Sequence, residues 1–233
     1  MSSSLNYETY ILISSKKIII SVNSDLNKKI YEKELIIEHE SKEFPFDKID
    51  YLLNENILKI EKELKSFVNK VSVILDLEVF FPVEISLKKK SYKDIINLKN
   101  INNILYEAKD CCNKTIDGKK IVHIIINNYE VDNKSYSLLP NNMNCDSFSL
   151  DIKFISISKT LIKNLEKTLK KYQISIKQVL SANYIKKFLT NDEQDIFLIA
   201  KKIADGYNPN EVKLVSKTIK NPGFFEKFFN FFG

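Results

Sequence analysis

Glycine is scarce in this sequence. Four of 233 residues are glycine (Gly118, Gly206, Gly223 and Gly233), and no two lie close together. Phosphate-cradling loops need neighbouring glycines so that backbone N–H groups can close on the anion, so neither a P-loop nor a dinucleotide fingerprint can be drawn. The two histidines, His39 and His123, are far apart and leave little for a zinc site or a Ser-His-Asp triad. Cys111, Cys112 and Cys145 are an odd number at no metal spacing, which argues against a disulfide scaffold and fits a reducing cytoplasm. No stretch approaches the ~18 consecutive apolar residues of a membrane span. The opening MSSSLNYETY lacks the basic start and apolar core of a secretory signal. Arginine is missing altogether: all 36 basic residues are lysine, scattered among 30 acids to leave a net charge of +6. Without arginine's bidentate fork, nucleic acid is not expected as a partner. No nucleophile–base pair can be nominated, so the expectation is no catalytic residue, no metal, no cofactor and no enzymatic activity.

What is present is periodicity. Residues 9–14 and 17–22 read as two strands turning at Ser15 and Lys16, and 30–38 as a third. Asp47 is placed to cap a helix carrying Ile49, Leu53, Ile57, Ile60, Leu64 and Phe67 at helical spacing. Residues 71–77 form a compact apolar run, read as a buried strand parallel to the first. A second unit follows: a strand at 80–87, a solvated turn at 88–90, a helix over 92–108 and a β-branched strand at 121–126. The stretch 132–146 reads as a polar loop. Phe148, Leu150, Ile152 and Phe154 then alternate with polar residues, the mark of a half-buried strand. Ser158 can cap a helix bearing Leu161, Leu165 and Leu169, and 174–179 gives another strand. The fold class is therefore mixed α/β (α+β).

Several of these segments together resemble FtsA, the bacterial actin-like cell-division family. Residues 121–151, IVHIIINNYEVDNKSYSLLPNNMNCDSFSLD, resemble the family's strand, its y-v-D-g, a loop with a proline and a Gly-Met pair, and a second strand. FISISKTLIKNLEKTLKKYQISIKQVL matches its strand, helix and returning strand, and SANYIKKFLTNDEQDIFLI resembles the passage leading to its second phosphate loop. ILISSKKIIISV is similar to the opening of the actin-like domain, and FFEKFF to the family's C-terminal membrane anchor. The resemblance implies half of an actin-like (ribonuclease-H-like) subdomain interrupted by an SHS2-type interaction module. The expected divisions are 1–81 and 176–204 for the actin-like part, 82–175 for the module, and 205–233 for a linker and amphipathic tail. The family tethers the ring polymer FtsZ to the inner membrane and recruits later division proteins, which implies other cell-division proteins as partners.

The departures from the family are as informative. Where its first phosphate loop should fall, near residues 13–16, this chain has ISSK, without the carboxylate or the glycine. After Glu193 it reads IFLIAKKIADGYN, a helical pattern without the second loop's glycines, and no second actin-like half is expected before residue 233. The expectation is a nucleotide-independent scaffold or adaptor on the cytoplasmic face of the inner membrane. FtsZ binding and oligomeric state stay open. A PilM-like pilus or secretion adaptor, or an ATPase half completed by a second polypeptide, are the alternatives.

The expected membrane-binding residues are Phe224, Phe225, Phe228, Phe229, Phe231 and Phe232, which a helix would gather largely onto one face behind Pro222–Gly223. Each ring buried is worth about 1.5–3 kcal/mol, so reversible anchoring is feasible; packing onto the chain's own domain is the alternative. His123, in an apolar strand, reads as a satisfied structural histidine. Asp192 and Glu193 read as acids at a helix N-terminus.

Overall fold

The computed structural model describes residues 7–26, 28–37, 44–95, 98–140 and 144–213. It holds two sheets. The first takes β1 (Tyr7–Ser14), β2 (Lys17–Ser24), β3 (Lys29–Ile36), β4 (Lys70–Asp76) and β9 (Ser175–Ser181) in the order β3-β2-β1-β4-β9. The hairpin partners β1–β2 and β2–β3 are antiparallel, whereas β1–β4 and β4–β9 are parallel. Both faces of this sheet are covered, which is why its central strands read as unbroken apolar runs rather than alternating ones. On one face Ile11, Ile13, Ile18, Ile20, Val73 and Leu75 meet α1 (Phe46–Leu64) and α3 (Lys159–Lys170). On the other, Tyr10, Leu12, Ile19 and Ile74 meet α4 (Ala182–Ile185) and α5 (Ile196–Ala204).

The second sheet is antiparallel: β5 (Phe80–Ile95), β6 (Lys119–Val131), β7 (Lys134–Tyr136) and β8 (Asn144–Ser158), in the order β5-β8-β6-β7. α2 (Leu98–Thr115) packs Ile101, Ile104, Leu105, Ala108 and the buried Cys112 against Phe148, Leu150, Ile152 and Phe154 of β8. At one end of the sheet Ile125 and Ile155 turn to the opposite side and join the cluster that holds α4 and α5. That shared cluster joins the two sheets.

The first two strands, the parallel strand β4 and the alternation in β8 are found as the sequence predicts. Ser158 also caps α3, its side-chain oxygen accepting from Leu161 N. Other elements differ. β5 continues to Ile95, so the helix begins at Leu98 rather than at residue 92, and 88–90 is strand, not turn. The period of two sends Lys88 to one face, where it pairs with Glu130 at 3.0 Å, and Lys89 to the other, where it pairs with Glu107 at 2.6 Å. Lysines along an edge strand also discourage pairing with foreign strands. Residues 132–146 are not simply a loop. Asp132 and Asn133 take φ of +48° and +65°, the tight hairpin turn that twists with its strands, and β7 follows at once. α1 is preceded by Pro45 at its cap position, with Asp47 inside the first turn. It ends at Lys65, whose φ of +51° reverses the chain and leaves Phe67 off the helix and exposed.

Packing divides the chain differently from motif order. Ile162, Leu165 and Leu169 of α3 lie in the cluster of α1 and the first sheet. The chain therefore returns to the first sheet near Ser158, ahead of residue 175, where the sequence-expected module ends. Residues 205–213, expected as the start of a linker, are fixed in the structure as described next.

Candidate functional site

The two sheets are tied by a buried polar seam built on the segment after α5. Gly206, at φ +93°, supplies the left-handed turn that closes α5, and its N–H donates to Ile203 O. The chain then runs back along β6 as a short antiparallel stretch. Ile126 N donates to Asn210 O at 2.9 Å, and Val212 N to Ile124 O at 2.8 Å. This lowers Glu211 into the seam. Its Oε1 lies 2.7 Å from His123 Nδ1, and its Oε2 accepts from the Tyr184 hydroxyl at 3.0 Å. Asn208 Nδ2 donates to the same hydroxyl at 2.8 Å, and the His123 and Tyr184 rings pack at a tilt of 55° with centroids 4.6 Å apart. The His123 and Glu211 side chains are 1% and 7% exposed, so these hydrogen bonds replace lost water.

The geometry fixes the tautomer. His123 Nε2 receives the N–H of Ser181, at 3.1 Å. A backbone N–H can only donate, so Nε2 carries the lone pair, and Nδ1 carries the proton and donates to Glu211. Burial, and the Glu211 carboxylate beside it, push the Tyr184 hydroxyl well above the ordinary phenol range, against the Asn208 hydrogen bond that lowers it. Tyr184 thus stays a donor. Every polar atom of the His–Glu pair is spoken for, and His123 has no free nitrogen with which to take a proton from a substrate. This arrangement is suited to holding β6, β9, α4 and the 205–213 segment together. His123 is the structural histidine the sequence leads one to expect; its partner Glu211, 88 residues away, went unseen.

The positions compared above with phosphate loops are filled by ordinary local structure. At residues 13–16 the β1–β2 hairpin closes on itself: Ser14 Oγ accepts from Lys17 N at 3.0 Å and donates to Lys17 O at 2.9 Å. After Glu193 comes α5, whose cap is Asp195, its Oδ1 accepting from Phe197 N and Leu198 N. The capping acid is Asp195; Asp192 and Glu193 lie just ahead of it, and Glu193 pairs with Lys202 further along α5.

Beside the seam opens a cleft of about 580 Å³, with His123 and Glu211 in its wall. A second cleft of about 550 Å³ lies where Phe80, Pro82 and Ile155 meet Ser181 and Tyr184. Among the described residues no cluster of His, Cys, Asp and Glu could hold a metal ion, and no helix is long and apolar enough to cross a membrane. The six expected membrane-binding phenylalanines lie outside the described residues.

The strand order β3-β2-β1-β4-β9, with β2 antiparallel to its neighbours and β4 and β9 parallel to β1, makes this part of an actin-like fold carrying an additional four-stranded antiparallel sheet. No protein-family model matches the sequence, and no curated protein does. Among the solved structures similar to it are the following three. The PilM–PilN type IV pilus biogenesis complex aligns over 76% of this chain at 9% identity and a TM-score of 0.46. The cytoplasmic domain of EpsL, an inner membrane component of the type II secretion system of Vibrio cholerae, aligns over 77% at 11% identity and 0.36. A protein of actin-like ATPase fold and unknown function from Bacteroides thetaiotaomicron aligns over 79% at 13% and 0.35. The chain spans 48%, 57% and 56% of these structures, about half the length of each.

Proposed function

We propose that the protein is a non-enzymatic, nucleotide-independent adaptor that gathers assembly proteins at the cytoplasmic face of the inner membrane, with cell division as the process. The observation that carries this reading is the closed β1–β2 hairpin. The resemblance to FtsA leads one to look for a phosphate cradle at residues 13–16, and there Ser14 turns back onto Lys17 in a tight hairpin that has neither the glycine nor the carboxylate of such a loop. The seam supports the same reading, since its histidine is engaged on both sides. Attachment is assigned to Phe224, Phe225, Phe228, Phe229, Phe231 and Phe232, behind the Pro222–Gly223 break.

Two measurements test it. In thermal melts at equal ionic strength, ATP and ADP should raise the melting temperature no more than inorganic tripolyphosphate does. A rise of several degrees specific to the adenine nucleotides refutes nucleotide independence, because a ligand of the native state must stabilise it. A fluorescent fusion should collect at midcell; collection at pilus or secretion bases instead would replace division with pilus or secretion assembly as the process.

A further inference from the structure

The larger cleft is unusual in its charge. Five lysines line it: Lys109 from α2, Lys119 and Lys120 from β6, Lys159 at the start of α3, and Lys213 after the seam. The one carboxylate there is Glu211, and both its oxygens are engaged by His123 and Tyr184. Lysines and acids are nearly balanced across the whole chain, 36 to 30, so this imbalance is local. Ten lysines elsewhere on the described surface stand within ion-pair distance of a carboxylate; none of these five does. Two have other engagements: Lys119 Nζ lies over the Phe81 ring at 3.6 Å, and Lys213 Nζ contacts Ala204 O. Lys109, Lys120 and Lys159 have no anionic partner among the described residues, and Asn113 adds an amide beside them.

We infer that this cleft is a binding site for a multiply charged phosphate anion, either a free diphosphate-type ligand or phosphates presented by an anionic lipid surface. The five lysines come from four separate elements around one concavity, so their positive charge is concentrated along its rim. Lysine binds phosphate as a point charge, without arginine's demand for a planar fork, which suits a site that reads charge rather than shape. Apolar side chains (Ile121, Val122, Leu180, Val212) make up part of the remaining wall, beside the polar Gln178, and weaken dielectric screening where they face the cleft. The volume lies in the range of small-ligand pockets, about 300–1,000 Å³. A cluster of several cations favours a ligand that presents more than one negative charge. The site is distinct from the nucleotide positions discussed above and stands whether or not the adaptor reading does.

The test uses the full chain with Lys120→Gln plus Lys159→Gln, both exposed, against a charge-matched control with the exposed Lys16→Gln plus Lys134→Gln. Pyrophosphate binding, by titration calorimetry at fixed ionic strength, should weaken at least tenfold in the cleft variant and less than twofold in the control. Co-sedimentation with phosphatidylglycerol and phosphatidylcholine vesicles assigns the source. If phosphatidylglycerol binding also falls in the cleft variant alone, and pyrophosphate competes with it, the lipid headgroup is the ligand. If vesicle binding is the same in all three proteins, the ligand is a free phosphate. The inference is overturned if pyrophosphate fails to bind, if both variants weaken equally, or if a hexaglutamate peptide binds more tightly than pyrophosphate, which would make the cleft an acidic-peptide site.

Discussion

Replacing Glu211 tests whether the seam holds the two sheets together. In Glu211→Ala, the His123 Nδ1–H and the Tyr184 hydroxyl lose their acceptor in surroundings where His123 is almost fully buried. A hydrogen bond to a charged group is worth about 1.5–3 kcal/mol, and breaking a buried pair costs about 3–5 kcal/mol. Glu211 also lines the neighbouring cleft, from which water can reach the vacated space, so the expected loss is about 2–4 kcal/mol. In a urea melt followed by circular dichroism, with a slope near 2–3 kcal/mol per molar, the midpoint should fall by roughly 1 M. Glu211→Gln keeps the volume but sets an amide NH2 against one of two donors, and should cost about 1–2 kcal/mol. Glu130→Ala, which removes a surface partner of Lys88, should cost under about 1 kcal/mol. Amide exchange supplies the local reading: the Ile126 and Val212 amides, which bond between β6 and the 205–213 segment, should lose protection in Glu211→Ala before the strands of the first sheet do. If Glu211→Ala is no worse than Glu130→Ala and those two amides keep their protection, the carboxylate does not hold the seam, and the assignment fails.

Three further outcomes are expected. Lys171, through its hydrogen bond, holds the Asp50 carboxyl below its ordinary value, with burial opposing and Tyr172 assisting. Its contribution is therefore fully present above the unfolded carboxyl's pKa, about 3.9, and lost as pH falls through the lower folded value. Asp50→Asn should cost about 0.5–1 kcal/mol at neutral pH and progressively less as the pH is lowered below the unfolded carboxyl's pKa, by melts across that range. Leu165→Ala should cost about 2–5 kcal/mol and loosen amides of β1 and β4 rather than those of β6 and β8, because α3 packs on the first sheet; the reverse pattern would reassign the helix. Deleting residues 222–233, or combining Phe225→Asp with Phe229→Asp, should sharply reduce sedimentation with anionic vesicles and leave the melting temperature unchanged; full vesicle binding with a melting temperature ten degrees lower would place the rings in the core.

Much of the fold was legible because it is local. The alternation of Phe148, Leu150, Ile152 and Phe154 is dictated by a strand with one face on α2, and the Ser158 cap is a side chain bonding its own next turn. The errors arose where tertiary context overrode local chemistry. Three consecutive lysines suggest a turn until β8 supplies the opposite strand and Glu130 and Glu107 supply the acids, one on each face. The allegiance of α3 was hidden for a similar reason. Its apolar stripe at 161, 165 and 169 says that it is amphipathic, but nothing in it says which sheet it faces.

The sites were less legible because nothing in either is local. One signal for the seam does exist: a lone histidine in an apolar strand needs partners for both ring nitrogens, and a buried histidine without a nearby acid implies one brought from elsewhere. Glu211, flanked by Asn208, Pro209, Asn210 and Val212, is an acid in a stretch otherwise free of charge, and the bridge between Ile125 and Glu211 is what brings it to His123. The cleft lysines carry no such mark. Positions 109, 119, 120, 159 and 213 share no period, and each taken singly is a solvated surface residue like dozens of others. Only the topology, which lays the start of β6 beside β9 and sets the start of α3 and the end of α2 around them, turns five unremarkable lysines into one concave field. Scattered charge along a sequence is therefore a weak argument against an anionic ligand, since scatter in sequence and convergence in space are compatible whenever crossovers connect the elements.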